Sequence, residues 1–168
     1  VVFRYLSAFH NATEEAKRVV GRAFIPAQNQ YLRGLAWVNK DMLSFAQRKA
    51  PQGIATLDQD GTVAQTHKAE ALYSYLGDKS FQPLTTYWME QDMVARSEFR
   101  DGNVPAGFEN LRELQETLIV LPQGVSKVYY RGDTAAYQRE LLRYCAEGKN
   151  ERFGIIEFAV GVDVTPEF

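Results

Sequence analysis

The protein has 168 residues, of which 45% are hydrophobic and 24% are charged, and this composition is that of a soluble globular chain with a sizeable core. Its formal net charge of −2 excludes a globally basic nucleic-acid binder, so any contact with DNA must depend on local patches. One cysteine, Cys145, excludes an internal disulfide and a zinc site of several cysteines, and it fits a reducing cytoplasm. No apolar run reaches the length of a membrane span and no signal peptide precedes the first predicted helix, so we expect a cytoplasmic protein without a membrane partner.

Two helices are predicted in residues 1–52, which we assign as an N-terminal helical flank. Val2 to Val20 carries apolar residues followed by a charged stretch, which indicates a short amphipathic helix with Asn11 or Thr13 as its break and cap. Pro26 to Lys49 is predicted to be a long amphipathic helix, because its apolar residues recur at three- and four-residue spacing. Those residues are Tyr31, Leu35, Val38, Met42, Phe45 and Ala46.

The stretch from Ile54 to Thr62 combines the pattern of a buried strand with acidic side chains. Because side chains alternate between faces along a strand, Asp58 and Asp60 point to the same side. Two carboxylates there repel each other unless a positive charge lies between them, and a divalent cation such as Mg²⁺ prefers such oxygen ligands. The alternative is a strand that ends in a turn, with Asp60-Gly61 supplying the turn chemistry.

The middle of the chain predicts a β-hairpin. Phe81 to Trp88 and Met93 to Phe99 are rich in aromatic and β-branched residues, and a turn separates them. A polar stretch with His67 and Lys68 precedes the hairpin, and a solvated loop explains it at least as well as a contact with phosphate.

Helices and strands alternate in the last third of the chain. Ala106 to Leu121 is a predicted helix, Val125 to Tyr130 a strand, Ala135 to Glu147 a helix with Cys145 as a small apolar residue, and Phe153 to Val160 the last strand. The order βββαβαβ after the helical flank predicts an α/β fold with a mixed sheet flanked by helices.

A second acidic residue follows the fourth predicted strand. Asp133 lies at the carboxyl end of that strand, where sheets of this kind place their ligand sites. If the first and fourth strands are neighbours, Asp60 and Asp133 converge. The alternative role of Asp133 is a helix N-cap, because Asp before Thr-Ala-Ala satisfies backbone amides well. Both roles are compatible, and we place the ligand role first.

Two aspartate motifs and three longer runs carry a resemblance to a known family. The motifs are Asp60-Gly61-Thr62 and Arg131-Gly132-Asp133-Thr134, and the runs are YWMEQD at 87–92, EFRDGNVPAG at 98–107 and ELLRYCAEG at 140–148. The chain resembles the RNase H-like catalytic domain of the DDE transposases of bacterial insertion sequences, in which one aspartate ends the first strand and another follows the fourth. The resemblance covers nearly the whole chain and implies an RNase H-like catalytic domain over residues 53–168.

The resemblance also implies a third acidic residue, on a helix beyond the fifth strand. The sequence ends before that helix, so we expect residues 53–168 to be the front part of the domain, truncated before the third acid. Glu157 lies inside the last predicted strand and is interpreted as a structural residue, or at best as a poor substitute.

The activity that the resemblance implies is metal-dependent DNA cleavage and strand transfer at insertion-sequence ends. Two Mg²⁺ or Mn²⁺ ions, roughly 3.5–4 Å apart, would be bound near the scissile phosphate. Asp60 and Asp133 would be the catalytic metal ligands, with Asp58 as a supporting or alternative ligand. The implied partners are double-stranded DNA, both transposon ends and target, and a second copy of the chain in a functional homodimer.

Three basic residues are candidates for holding DNA phosphate, although a solvated surface charge is the default role of each. They are Lys68, Arg100 and Arg131.

Two other interpretations stay open. The first is a non-catalytic, transposase-derived binding or assembly module whose acidic residues serve as caps. The second is a two-aspartate metal-dependent nuclease or phosphatase, which requires a further acid or histidine near Asp60, and Asp58 is the one plausible residue. Without a third acid, we expect the isolated chain to be inactive.

Overall fold

The computed structural model describes residues 7–19 and 21–163. Its α-helices are α1 Ala12–Glu15, α2 Gln30–Lys49, α3 Asn110–Val120 and α4 Arg139–Ala146, and a 3₁₀ helix covers Thr134–Ala136. Its strands are β1 Ile54–Gly61, β2 Ala64–Gln65, β3 Leu72–Tyr73, β4 Lys79–Phe81, β5 Leu84–Trp88, β6 Met93–Glu98, β7 Lys127–Gly132 and β8 Glu157–Val160. None of the described helices is long and apolar enough to cross a membrane.

A five-stranded mixed sheet forms the centre of the fold, in the order β6-β5-β1-β7-β8. β1 pairs antiparallel with β5 and parallel with β7, while β6 and β8 extend the sheet on either side. The mixed α/β sheet predicted from the element order is therefore confirmed, and β1 and β7, the first and fourth predicted strands, are neighbours.

The side chains of β1 alternate between a buried face and a more exposed face. Ala55, Leu57 and Gln59 are buried, whereas Asp58 is half-buried and Asp60 is exposed. The buried face joins the main core, to which α2, α3 and α4 contribute Leu43, Leu114, Leu118, Leu141 and Cys145. The predicted apolar role of Cys145 is confirmed, since it is fully buried.

Three short strands that come between β1 and β5 along the chain form a second, smaller sheet of order β2-β4-β3. Sequence patterns missed it because strands of two or three residues are too short to show a period. One of these strands ends at Phe81, and Pro83 separates it from β5, so the predicted hairpin strand begins at Leu84 instead of Phe81. Gly102 packs against this small sheet so closely that a Cβ atom would lie 2.5 Å from the backbone oxygen of Leu72.

In the helical flank the predicted cap of the first helix is confirmed, whereas the helix bounds differ from the prediction. Asn11 caps α1, since its side chain accepts a hydrogen bond from the Glu14 amide at 3.3 Å, but residues 2–6 and 20 of the predicted first helix lie outside the described residues. α2 begins four residues after Pro26, because Asn29 is its N-cap and accepts hydrogen bonds from the amides of Tyr31 and Leu32 at 3.0 Å each.

Three elements of the last third are shorter than predicted. α3 begins at Asn110 because Glu109 before it has a left-handed backbone with φ of 54°. The predicted helix from Ala135 consists of the 3₁₀ helix and α4, two separate pieces. β8 covers only the end of its predicted range, since the Asn150 side chain accepts hydrogen bonds from two following amides and holds that segment in a turn.

Candidate functional site

The candidate site lies where β1 and β7 end side by side. The parallel pairing runs from Ile54 opposite Lys127 to Gln59 opposite Gly132. Asp60 and Asp133 each come one position after the last residues that pair β1 with β7, and Asp60 still pairs with Thr85 of β5. Adjacent parallel strands are about 4.8 Å apart, so the fold brings the backbones of the two predicted metal ligands to one edge of the sheet. Both side chains are exposed there.

Asp58 is two residues earlier on the same face of β1 and has a partner. It lies opposite Arg131 in the register, and Arg131 Nη2 donates a hydrogen bond to Asp58 Oδ2 in an ion pair. The pair neutralises one of the two carboxylates on this strand face. Within the described part of the chain, the Asp60 carboxylate has no hydrogen-bond or ion-pair partner.

Asp133 has the capping role that the sequence offered as an alternative. Its Oδ1 accepts a hydrogen bond from the Ala135 amide at 3.0 Å and caps the 3₁₀ helix. One carboxylate oxygen of Asp133 is therefore engaged by the backbone, while the other remains as a potential ligand. The cap fixes the side chain at the end of β7, so the structural role and the proposed ligand role are compatible.

Gly132 allows the chain to turn tightly just before Asp133. A Cβ atom at this position would lie 2.6 Å from Ala136 Cβ and 3.1 Å from Tyr130 Oη. Real Cβ atoms essentially never approach another atom to 2.6 Å, so the 3₁₀ helix can pack against the end of β7 only because residue 132 is glycine. Gly161, which follows β8, donates its backbone N–H to Gly132 O at 3.1 Å. This hydrogen bond connects the end of β8 to the end of β7, next to Asp133.

A buried polar group under the site was not predicted from the sequence. Tyr130 Oη donates a hydrogen bond to Gln59 Oε1 at 2.8 Å, and Gln59 Nε2 donates to Thr86 Oγ1 at 3.3 Å. Burial raises the pKa of the Tyr130 hydroxyl well above its ordinary value, and nearby Asp133 and Asp58 add to the effect. The sequence did contain a clue to this group: Gln59 falls at a position of β1 where the alternating pattern predicts a buried side chain. A buried polar side chain needs hydrogen-bond partners.

Arg100 does not lie where DNA could reach it. Its side chain is 1% exposed and pairs with Glu98 at 2.9 Å, and its Nη1 donates to Phe108 O at 2.6 Å. The predicted phosphate contact by Arg100 is therefore wrong, since the guanidinium holds the loop after β6 in place. A sequence pattern could not distinguish this arginine from a surface one.

The other basic candidates lie at the surface. Lys68 and His67 are exposed in the segment between β2 and β3, and Arg131 is exposed but paired with Asp58. Glu157 pairs with Lys127 across β7 and β8 at 2.8 Å, which agrees with a structural role.

A layer of charged residues is buried between β6 and α3. Glu113 is 0% exposed and accepts a hydrogen bond from Arg96 Nε at 2.8 Å, while its other oxygen has no partner among the described residues. Burial raises the pKa of Glu113 to about 7. Arg112 joins this layer by pairing with Glu98 at 2.6 Å. None of these groups lies at the carboxyl ends of β1 and β7, so we regard the layer as structural.

The donor set at the site suits a hard divalent cation. Asp60 offers an unengaged carboxylate and Asp133 one unengaged oxygen, and Mg²⁺ commonly uses one or two carboxylates together with water and substrate phosphate. Within residues 7–19 and 21–163, however, no three acidic, histidine or cysteine side chains gather as a metal-binding group. The described residues therefore supply part of a metal site.

Comparisons with known proteins add little. No family model matches the sequence, and no curated protein matches it. A chain in the crystal structure of the Mos1 strand transfer complex is similar over 95% of this chain, with 16% sequence identity and a TM-score of 0.38. The match covers 48% of that chain, so the protein described here spans about half of its length. A likeness of this size carries no argument about function.

Proposed function

We propose that this chain is part of a DDE-type transposase of a bacterial insertion sequence, which cleaves and joins DNA strands at the ends of the element. The observation that supports the proposal most is the position of Asp60 and Asp133 at the ends of β1 and β7, two neighbouring parallel strands at the centre of the mixed sheet. The family motifs around both residues agree with this placement.

In this proposal Asp60 and Asp133 hold Mg²⁺ or Mn²⁺. Ions bound there would supply a nucleophile at neutral pH and stabilise the charge of the leaving oxygen on DNA. The 3₁₀ cap orients Asp133, and the Asp58–Arg131 pair lowers the negative charge beside Asp60 while leaving Asp58 as a supporting ligand. Lys68 and Arg131 are the exposed cations that would contact DNA phosphate.

The proposal requires one more carboxylate than the described residues provide. Two divalent ions carry four positive charges, and Asp60 with Asp133 contributes two negative ones. A third carboxylate would fix the second ion, and its misplacement would remove the stabilisation of the leaving oxygen. In this proposal that residue lies beyond residue 168, so the isolated chain is expected to bind metal weakly and to leave DNA uncut.

A non-catalytic assembly module is the second candidate. Two observations favour it: Asp133 already has a structural role as a cap, and no third ligand lies nearby within the described residues. In that case Asp60 is a surface residue at a strand end. Metal binding and DNA cleavage by the natural polypeptide separate the two functions.

The experiment compares this chain with the polypeptide that the natural coding sequence encodes. Each is incubated with Mg²⁺ or Mn²⁺ and plasmid DNA that carries the sequences flanking that coding region. We expect nicking and strand joining by the natural polypeptide, loss of both in Asp60→Asn and Asp133→Asn, and no reaction with the chain alone. Asp92→Asn is the matched control, because Asp92 is an exposed aspartate in the β5–β6 turn, where its positive φ of 54° suits asparagine. A folded natural polypeptide without activity, or activity that persists in Asp60→Asn, contradicts the proposal.

A further inference from the structure

α2 contacts the rest of the fold through a different side from the one that the apolar spacing predicted. Its buried residues are Leu43 and Gln47. Asn39 Nδ2 donates to the backbone oxygens of Val94 and Ala95 at 3.3 and 2.9 Å, which attaches the helix to the edge strand β6. Successive residues are about 100° apart around a helix, so the side that contains Asn39, Leu43 and Gln47 is distinct from the side with the regular apolar spacing.

That apolar side is exposed along the whole helix. We name as the α2 stripe the five residues with spacings of four, three, four and three: Tyr31, Leu35, Val38, Met42 and Phe45. Their exposed fractions are 49%, 49%, 56%, 54% and 55%. A large apolar patch of this kind on a folded surface indicates an interaction site.

The spacing of the α2 stripe indicates the kind of partner. Alternating steps of three and four residues are the heptad pattern with which one helix packs along another, each apolar side chain fitting between those of the partner helix. The residues beside the stripe on its solvent side are Gly34, Asp41 and Arg48, at intervals of seven. They carry one negative and one positive charge, so two copies of this surface meet without a large excess of like charge.

We propose that the α2 stripe packs against the α2 stripe of a second copy of the chain and forms a homodimer. About half of each of the five side chains is exposed, and a fully exposed large side chain offers roughly 150–200 Å². The two stripes together would then bury on the order of 1,000 Å², which is the lower limit for a specific protein interface. The buried area and the mixed charges beside the stripe fit a second copy of the chain, and the inference does not depend on the proposed catalytic function.

The ends of the α2 stripe have some contacts within the chain, so its middle is the part to test. Tyr31 stacks edge-to-face on Phe9 with ring centres 6.2 Å apart, and Arg48 and Lys49 lie over the Phe45 ring. Val38 and Met42 are more than half exposed, so polar substitutions there should leave the fold intact. Glutamate is also a good helix former, which protects α2 itself.

Sedimentation equilibrium over a wide range of protein concentration tests the proposal. The chain of 19.1 kDa is expected to reach twice that mass, and Val38→Glu with Met42→Glu should weaken dimerisation at least about 100-fold, because a symmetric interface loses each contact twice. Trp37→Glu is the matched control. Trp37 is 74% exposed on the same helix, but it lies about 100° from Val38 and should not affect the dimer.

Crosslinking through one engineered cysteine provides an independent readout. Val38 is the midpoint of the α2 stripe, so two copies of Val38→Cys should lie near each other whether the helices are parallel or antiparallel. Cys145 is fully buried and should not react. We expect a short bismaleimide to link the Val38→Cys variant into dimers. The Lys40→Cys variant, whose cysteine lies on the opposite side of α2, should be crosslinked far less. A chain that is monomeric at every concentration, a dimer that persists in the double glutamate variant, or equal crosslinking at both positions overturns the proposal.

Discussion

Asp58 and Arg131 lie directly opposite each other on the parallel strands β1 and β7, and their side chains form an ion pair. One register step further along is the pairing of Gln59 with Gly132, and Asp60 and Asp133 follow. The strand end therefore carries a neutralised carboxylate first and two unneutralised carboxylates after it. This order separates Asp58, as a supporting group, from Asp60 and Asp133, as the proposed ligands.

Replacing Arg131 should strengthen cation binding at the strand end. Arg131→Gln leaves Asp58 unneutralised and adds one negative charge beside Asp60. Exposed ion pairs contribute about 0.2–1 kcal/mol, so we expect Mn²⁺ to bind about two- to fivefold more tightly, as measured by Mn²⁺ titration at low ionic strength. Arg143→Gln, which removes the exposed pair of Arg143 with Glu147 on α4, is the control and should change nothing. Weaker Mn²⁺ binding in Arg131→Gln would show that the arginine helps to build the site.

Adding a methyl group at Gly132 should destabilise the fold. In Gly132→Ala the new Cβ atom overlaps Ala136 and Tyr130, so the 3₁₀ helix must move away from β7. Overpacking of this kind costs about 1–3 kcal/mol, measured as a lower free energy of unfolding in urea.

Gly34→Ala provides the opposite case. Gly34 lies inside α2 and a Cβ atom there meets nothing within 4 Å. Alanine is a better helix former than glycine, so this variant should be more stable by about 0.5–1 kcal/mol. If Gly132→Ala and Gly34→Ala had equal free energies of unfolding, residue 132 would not be closely packed against Ala136.

Much of the fold could be predicted from the sequence because the central elements carry strong local signals. The alternation in Ile54 to Thr62 and the aromatic hairpin strands are periodic over five or more residues, and the mixed sheet followed from their order. The position of Asp133 after its strand, and its ability to cap, could also be inferred because both depend on the few residues next to it.

Other features depend on contacts between distant parts of the chain and were not predictable. Arg100 has the same local context as a surface arginine, and only the folded loop reveals its pairing with buried Glu98. The apolar spacing of α2 predicted a buried side, whereas hydrogen bonds from Asn39 to β6 turn that side outward. The polar group of Gln59 with Tyr130 likewise joins residues 71 positions apart.

Glu113 should make the stability of the fold depend on pH. Burial raises its pKa from the ordinary 4.5 to about 7 in the folded state, so the folded protein holds this proton more tightly than the unfolded chain does. The resulting stabilisation is complete below about pH 4.5 and is lost as the pH rises to about 7. It amounts to on the order of 3 kcal/mol.

The comparison of wild type with Glu113→Gln isolates this effect. The free energy of unfolding of the wild type, relative to that of the variant, should fall between pH 5 and pH 8. Glu140→Gln, at an exposed position of α4, serves as the control and should show no such trend. A constant difference between wild type and Glu113→Gln would mean that Arg96 keeps Glu113 ionised throughout this range.

Asp60 and Asp133 are proposed to bind one divalent cation together, and paramagnetic broadening of backbone amide NMR signals by Mn²⁺ can locate that cation residue by residue. We expect weak binding, with the amides of Gly61, Thr134 and Gly161 broadened first, because they lie at the ends of β1, β7 and β8. Asp60→Asn should abolish this broadening, and Asp92→Asn should leave it unchanged. Broadening centred elsewhere, or broadening at these amides that persists in Asp60→Asn, would contradict the claim.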